Sequence, residues 1–476
     1  MVEKDYRLGH RERVKHRFLT YGFDSFFPYE ILEMLLFFVI PRKDTKGLAH
    51  ALCDRFQGLK GVLTASAEEL KAFPGVGEKT ASFLSSLMPF ATYVAEEEPI
   101  PRTYVTEDDF GNFFMHYYRT RQSSSVSVDI MLLSNRGDLL RMIHLSDKTD
   151  GLFRYSPEEI VKYCFEANAS MITIGIYTEK ELTFPSQKEK EKYIKFASTL
   201  SDTGICLCDC LTVSCDDFAS IFQPTIKKLS SRLKKIPYDI EVLPLEDEKL
   251  KVSEQKLASI LSFAMKPEEA EPLAVSLLKN TSSVATLMQM SFDFLRSAEG
   301  MTDKAVLLLK TISGLYSNVF LSDALSKKEE YHTAGKMGEM FKGIHALRDR
   351  EVISLALFDE TDKLIDIKLV SCGSVNSSSF AIRELVEFSM KNHAVSVAMA
   401  HNHPLGTVEP SPEDVSTTDA LSNMFSNYGI VYIEHFITTD RAFFPIGLYQ
   451  GLCVGATEQF YVDLPDKNKV MSLRKK

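Results

Sequence analysis

One register governs this chain: its apolar and turn residues recur 225 positions apart. Leu32 returns as Leu257, Phe38 as Phe263, Leu48-Ala49 as Leu273-Ala274, Leu52 as Leu277 and Leu70 as Leu295. Gly75 returns as Gly300 and Lys79 as Lys304. Farther on, Met115 returns as Met340, Leu132 as Leu357, Ala169 as Ala394 and Phe218 as Phe443. None of these pairs needs an insertion. Solenoid units run ~20–50 residues, so a period this long is not a solenoid. It predicts a module of two units copied once, four domains in all, and 476 residues are enough to build them.

The second copy carries a motif that the first lacks. His401-Asn-His403, followed by Asp414, reads His-x-His-x10-Asp. Two imidazoles and a carboxylate make a catalytic zinc set, because three protein ligands leave a fourth position open. The run 394–400 ahead of it is apolar and rich in small and β-branched residues, which predicts a buried strand. Alternation puts His401 and His403 on one side of that strand's end. The chain then turns through Pro404, Gly406 and Pro410. Ser411 as N-cap, with Pro412 in the first turn, starts a helix that brings Asp414 back to the histidines. Hydrolysis also needs a proton acceptor. Glu351, at the start of a strand pattern that ends at Phe358, is a candidate among many other acids. It reaches the metal only if its strand runs antiparallel to the histidine strand. Shifted back by 225, the set falls on Ile176, Thr178, Glu189 and Val126. Isoleucine and threonine do not serve as zinc ligands here, so the first copy keeps its strands, 127–133 and 170–176, and has lost the site.

Each copy opens on a helical pattern. In the first, Leu70-Lys-Ala-Phe-Pro-Gly75-Val-Gly77-Glu-Lys79 reads as helix, Gly-x-Gly turn, helix. Gly75 and Gly77 let backbone N–H groups approach a phosphate beside Lys79 and the positive start of the next helix. This is the pattern of a helix–hairpin–helix contact to a DNA backbone, and Gly77 is expected to hold a turn geometry that a β-branched residue resists. In the second copy Glu299-Gly300-Met301-Thr302 replaces Pro74-Gly75-Val76-Gly77, which predicts a structural unit without phosphate contact. Lys4, Arg7, Arg11, Arg13, Lys15 and Arg17, with His10 and His16, form a basic stretch near the N-terminus, read as a solvated arm. A net charge of −10 excludes a general nucleic-acid binder. Cys206, Cys208 and Cys210, at spacing two on a strand pattern, present three thiols on one face. That is poor geometry for a tetrahedral cage, and they read as small buried side chains in a reducing compartment.

Residues 347–446 resemble the C-terminal domain of the bacterial RadC family, a branch of the JAMM/MPN metalloproteins. The matching pieces are Arg350-Glu351-Val352, Gly373-Ser-Val-Asn376, His401-Asn-His-Pro404, Pro410-Ser411 with Asp414, and Glu434-His435-Phe-Ile437. Weaker matches to the family's N-terminal part are Gly9-His10-Arg11-Glu12-Arg13, Tyr29-Glu-Ile-Leu-Glu33 and Pro41-Arg-Lys-Asp44. The resemblance implies that Glu351 is the general base, that His401, His403 and Asp414 hold Zn2+, and that Ser411 helps stabilise the oxyanion. Leu405 departs from the family's usual Ser, and Glu434 from the usual Asp before His435. The implied fold is α+β: two helical helix–hairpin–helix-like units alternate with two mixed α/β MPN (JAMM, cytidine-deaminase-like) domains. The expected boundaries are a basic arm and helical unit over 1–95, a degenerate MPN-like domain over 104–222 and a linker over 223–256. A degenerate helical unit over 257–325, a zinc-binding MPN domain over 329–452 and a tail over 453–476 follow.

The expected function is a zinc-dependent hydrolase of the metallopeptidase type acting on an amide, peptide or isopeptide bond. That class comes from the resemblance; the residues alone say metal-assisted hydrolysis. The rival reading is a DNA-repair-associated accessory protein that binds the DNA backbone through Gly75, Gly77 and Lys79 and has no need of its metal. A metal-dependent nuclease is disfavoured by Pro404 and the x10-Asp spacing. No apolar run reaches the ~18 residues of a membrane span, and Met1-Val-Glu-Lys-Asp-Tyr-Arg7 is no signal peptide. The chain therefore reads as cytoplasmic, without a membrane partner. The apolar strands that survive in the ligand-free first MPN unit predict that it packs on the second, as an internal pseudo-dimer.

Overall fold

A computed structural model of the chain describes residues 9–97, 107–121, 126–135, 137–146, 155–179, 182, 186–214, 217–221, 248–279, 281, 283–371, 378–450, 458–461 and 463–464. Lys4, Arg7, the 373–376 motif, residues 222–247 of the linker region and the basic C-terminal tail lie outside them.

The chain begins with six helices: α1 (His10–Tyr21), α2 (Pro28–Leu36), α3 (Lys46–Arg55), α4 (Leu59–Thr64), α5 (Ala67–Lys71) and α6 (Glu78–Glu96). Residues 31–36 of α2 are all buried, as an all-round apolar helix requires. Its buried carboxylate, Glu33, meets His10 Nε2 at 2.9 Å. From His10 onward the basic stretch is not a free arm. α1 docks through Val14 and Phe18, Arg11 donates to Ile40 O at 2.8 Å, and Arg17 pairs with Glu30 at 2.8 Å beneath the Phe26 ring. Two of its cations, Arg11 and Arg17, are thus spent on the fold.

The first sheet domain follows with α7 (Glu107–Arg121), β1 (Val126–Leu133), β2 (Leu139–Ser146), α8 (Pro157–Ala167), β3 (Met171–Thr178), α9 (Gln187–Ser201), β4 (Cys206–Val213) and β5 (Phe218–Ser220). The second helical region is α10 (Glu248–Leu261), α11 (Pro267–Lys279), α12 (Val284–Gln289), α13 (Phe292–Arg296) and α14 (Asp303–Lys327). α10 starts inside the expected linker because Leu250, Ser253 and Leu257 are buried. The second sheet domain comprises α15 (Ala334–His345), β6 (Val352–Phe358), β7 (Leu364–Ser371), α16 (Ser378–Lys391), β8 (Ser396–Asn402), α17 (Pro412–Asn427), β9 (Val431–Thr438), β10 (Phe443–Pro445) and α18 (Ile446–Gln450). A 3-10 turn, Glu458–Tyr461, closes it. That turn corrects the expected tail: Phe460 is buried in the domain core and Asp463 Oδ1 accepts from Gly335 N–H at 2.9 Å.

The 225-residue register persists in three dimensions. β2, β4 and β5 recur at identical bounds as β7, β9 and β10, and α4 and α5 recur as α12 and α13. The sheets share one strand order, β2-β1-β3-β4-β5 and β7-β6-β8-β9-β10. In each, one pair alone is parallel, β3 with β4 and β8 with β9. The two interhelical turns also match. Gly75 has φ +90° and a Cβ there would lie 3.5 Å from Leu48, and Gly300 has φ +82° and a Cβ there would lie 3.6 Å from Leu273. The second turn therefore survives the loss of Pro74 and Gly77. Gly77 itself has an ordinary φ, and a Cβ there would meet nothing within 4 Å. The demand for glycine falls on Gly75, contrary to expectation.

The chain divides into two compact units, one of residues 1–95 with 308–476 and one of residues 96–307. Each helical region thus groups mainly with the sheet domain of the other half, and the boundary cuts the expected 257–325 unit within α14. In the first unit, a Cβ on Gly314 of α14 would lie 3.0 Å from Phe23 and 3.5 Å from Phe18, so both rings rest on bare helix backbone. Arg348 also donates to both oxygens of Asp24, at 3.3 and 3.4 Å. In the second unit, Asn168 Nδ2 donates to Gln289 O at 2.9 Å and Arg141 to Ser297 Oγ at 3.0 Å. Glu97 accepts from Ser253 Oγ at 2.6 Å and from Val284 N–H at 2.8 Å, at the start of α12. Among the described residues α14 alone is long and apolar enough to cross a membrane, a length the sequence reading denied to any segment. Two-thirds of its apolar window is buried in the fold, as in a core helix.

In the second sheet domain both faces of the sheet are covered. Ala356, Phe358, Ala398, Ala400 and Phe436 face α15, through Met337, Met340, Phe341 and Ile344. On the other face Leu355, Leu357, Val397 and Met399 meet Leu385 and Val386 of α16 and Leu421 and Phe425 of α17. Burying Leu421 and Phe425 contributes about 1.5–3 kcal/mol each. That packing fixes where α17 begins, at the end of β8.

Candidate metal centre

β8 lies between β6 and β9, and His401 is its penultimate residue. Odd-numbered residues of β8 share the α17 face, so His401 and His403 emerge where α17 starts. His403 is held just past the strand by its N–H donating to Thr438 O at 2.9 Å. The turn that follows needs a glycine. A Cβ on Gly406 would lie 2.6 Å from His403 Cβ. Leu405, buried at φ +53°, takes a left-handed conformation that is costly for leucine. Ser411 then caps α17: its Oγ accepts from Asp414 N–H at 3.1 Å, while its own N–H and Oγ–H both donate to Asp414 Oδ2 at 2.8 Å. The capping box of an ordinary helix start thereby fixes the carboxylate.

Three donor atoms converge as a result. His401 Nε2 is 3.0 Å from His403 Nε2 and 3.2 Å from Asp414 Oδ1, and His403 Nε2 is 3.8 Å from Asp414 Oδ2. Tetrahedral zinc with bonds of ~2.0–2.1 Å separates its ligands by roughly 3.3 Å, so this spacing fits. His403 Nδ1 lies 2.8 Å from Thr407 O. A carbonyl only accepts, so the ring hydrogen is there and the Nε2 lone pair faces the other two donors. Burial, then the neighbouring His401 ring, hold His403 below the usual imidazole range and keep it neutral. Burial works to raise the Asp414 carboxyl, but His401 and the two Ser411 donors overcome it and hold it well below the usual carboxylate range. A cation relieves the repulsion among such donors. Among the described residues this is the one group of three or more His, Cys, Asp or Glu placed to hold a metal.

β6 runs antiparallel to β8 with Ile353 opposite His401. Two residues farther along that register Glu351 falls opposite His403, on the same face, and its charge acts to raise the His403 pKa. Glu351 is exposed. The backbone around it is pinned: Asn402 Oδ1 accepts from Val352 N–H at 2.7 Å, and Asn402 Nδ2 donates to Arg350 O at 3.0 Å. Asp349, two residues earlier, pairs with the buried Lys310 at 2.7 Å. Ser411 is less simply placed than expected. Its single hydroxyl hydrogen is committed to Asp414, so as it stands it positions a ligand and has none to offer an oxyanion.

In the first sheet domain the equivalent register sets Val126 directly opposite Thr178 on β3, with Ile176 two residues before. None of the three side chains supplies a donor suited to zinc. The hairpin residues Gly75, Gly77 and Lys79 are exposed, far along the chain from this centre. Sequence reasoning missed Asn402, Thr407, Thr418 and His345. Thr418 had one signal, a position one helical turn after Asp414. His345, fully buried between Thr438 Oγ1 at 2.7 Å and Ser354 Oγ at 2.5 Å, is a lone histidine in the sequence and gave none.

Residues 332–447 match the RadC-like JAB domain family. The chain is 27% identical to UPF0758 protein FN0909 of Fusobacterium nucleatum over 229 residues, which cover 47% of this chain and 98% of the relative. It is 28% identical to UPF0758 protein SSU98_1084 of Streptococcus suis over 193 residues, 40% of this chain and 78% of the relative. A similar match, 24% identical over 192 residues, is to UPF0758 protein Spy49_0870 of Streptococcus pyogenes.

Proposed function

We propose that the RadC-like JAB domain at residues 332–447 is a zinc-dependent hydrolase of the metallopeptidase type, cleaving an amide, peptide or isopeptide bond. The observation that carries this reading is the convergence of His401 Nε2, His403 Nε2 and an Asp414 oxygen at 3.0–3.8 Å, at the edge of the domain. His401, His403 and Asp414 would hold the ion. Zinc, when bound, supplies a Lewis acid that polarises a carbonyl and acidifies water. The chain's own part is proton handling. By extension of the β6–β8 register Glu351 falls opposite His403, exposed to solvent, where a carboxylate can accept a proton from water and pass it to a leaving amine. Asn402 keeps that carboxylate in place by tying the backbone on either side of it. Elemental analysis and zinc titration of the full chain and of His403→Ala test the metal, with one ion per chain expected and none in the variant. Zinc-loaded protein is then screened on a peptide library. Glu351→Gln should keep its zinc and lose at least about a hundredfold in rate. Two ions per chain, or full activity in Glu351→Gln, would contradict this reading.

A second reading concerns the exposed α5–α6 turn, where Gly75, Gly77 and Lys79 sit at the start of a long helix. We propose weak, sequence-independent contact to a DNA backbone there, steeply dependent on salt. A retardation assay in rising salt, with Lys79→Glu against wild type, separates it from the metal chemistry. Common descent of the two halves belongs to the same proposal. A whole relative fits within less than half of this chain, and each half repeats the same elements at one offset.

A further inference from the structure

Behind His401 runs a chain of hydrogen bonds that ends on another ligand residue. His401 Nδ1 is 2.8 Å from His435 Nε2, His435 Nδ1 is 2.6 Å from Thr418 Oγ1, and Thr418 Oγ1 is 2.7 Å from Asp414 O. Thr418 is wholly buried, and His435 and His401 nearly so, at 2% and 6% exposure. Metal-bound histidines commonly donate their second N–H to a carboxylate or a carbonyl, which accept only. Here the partner is an imidazole, which can be either donor or acceptor, so the proton order must be set farther back.

We infer that Thr418 and His435 are positioning residues that lock His401 in the tautomer leaving Nε2 free for the metal. The order follows from the far end. Asp414 O can only accept, so it takes the single hydroxyl hydrogen of Thr418. Thr418 Oγ1 is then the acceptor for His435 Nδ1–H. A neutral imidazole carries one N–H, so His435 Nε2 is bare and takes the hydrogen of His401 Nδ1. His401 Nε2 is left with a lone pair, aimed at His403 Nε2 and Asp414 Oδ1. An imidazolium at His435 would be a charge buried without a carboxylate in contact, which the interior does not favour. Because the relay starts on the backbone of Asp414 and ends on His401, closure of the first turn of α17 sets both the place of one ligand and the protonation of another.

This inference rests on the zinc reading above and adds two residues that touch no metal. The test uses the full chain. Long-range 15N–1H spectra of the histidine-labelled, zinc-loaded wild type should show His401 protonated on Nδ1 and His435 on Nδ1. Thr418→Val keeps the shape but removes the acceptor, so His435 should move its hydrogen to Nε2 and drive His401 to the Nε2–H form. Zinc affinity, read by chelator competition, should then fall roughly 10–100-fold, while Thr418→Ser stays close to wild type. A wild-type spectrum with His401 protonated on Nε2 overturns the inference, even where Thr418→Val does not fold. Wild-type zinc binding with an equal affinity in Thr418→Val overturns it too, and leaves the zinc reading standing. A wild type that binds no zinc overturns both.

Discussion

Asn402 sits between the two histidines of the candidate metal centre, yet its side chain serves the neighbouring strand. It holds Arg350 O and Val352 N–H, so Asn402→Ala should leave zinc stoichiometry unchanged and slow hydrolysis by about tenfold or more, through a base that has lost its placement. A parallel loss of zinc would make Asn402 a support of the ligands instead. Glu434 offers a sharper test. It is fully buried and accepts from His435 N–H and Gly447 N–H at 2.7 Å, from Leu448 N–H at 3.2 Å and from Tyr461 Oη–H at 2.5 Å. Burial pushes its carboxyl up to about 7, against the pull of those donors. An acid raised in the folded state binds its proton more tightly there than in the unfolded chain. Its contribution to stability is therefore full below pH 4.5 and falls as pH rises through 7. Relative to Glu434→Gln, the wild type should lose on the order of 3 kcal/mol between pH 5 and pH 8, a shift of about 2.5 pKa units. Denaturant melts of both proteins at the two pH values read this. A gap that stays constant would mean that the four donors keep the carboxylate charged throughout. The spacing His-x-His-x10-Asp was legible in the sequence because ligand geometry is written in strand alternation and a helix cap. Asn402 and Thr407 were not, because their partners are brought to them by strand register and by the turn.

At the scale of elements, strands and caps followed the sequence closely. The antiparallel pairing that Glu351 requires is present, and Ser411 caps α17 as its place before Pro412 predicts. The error lay in the interhelical turns, where two glycines were assigned one task. Only Gly75 adopts a positive φ, and Gly300 repeats it without a second glycine. Gly75→Ala and Gly300→Ala should each cost about 1–2 kcal/mol, the penalty of a left-handed residue with a Cβ. Gly77→Ala should be near neutral, since its Cβ meets open space. Thermal melts of the three variants decide. A loss at Gly77 equal to that at Gly75 would restore the Gly-x-Gly reading of the turn. A pattern of apolar residues could not separate these cases, because φ at a glycine leaves no mark on its neighbours' types.

The register of the two halves told how many elements to expect and in what order, but not which helical region packs on which sheet. Two halves with one apolar pattern offer similar faces to each other and to themselves, so chain order and crossed order look alike in sequence. The structure takes the crossed order, with 1–95 beside 308–476 and 96–307 a unit of its own. The contact is apolar at its centre, where Phe18 and Phe23 cover Gly314, and charged at its border, where Asp24 meets Arg348 and Lys60 meets Asp323. Removing 1–95 uncovers that face of α14. The fragment 308–476 alone should therefore aggregate or melt without cooperativity, since an uncovered contiguous apolar face is an association site. Adding 1–95 in trans should restore a cooperative melt and zinc binding. The fragment 257–476, the second half in chain order, should not substitute, because its first 51 residues, 257–307, belong to the other unit. Light scattering and thermal melts of the three preparations make the comparison. A 257–476 fragment that stays monomeric, melts at the temperature of the full chain and gains nothing from added 1–95 would sink the crossed arrangement, and would return the halves to two modules in series.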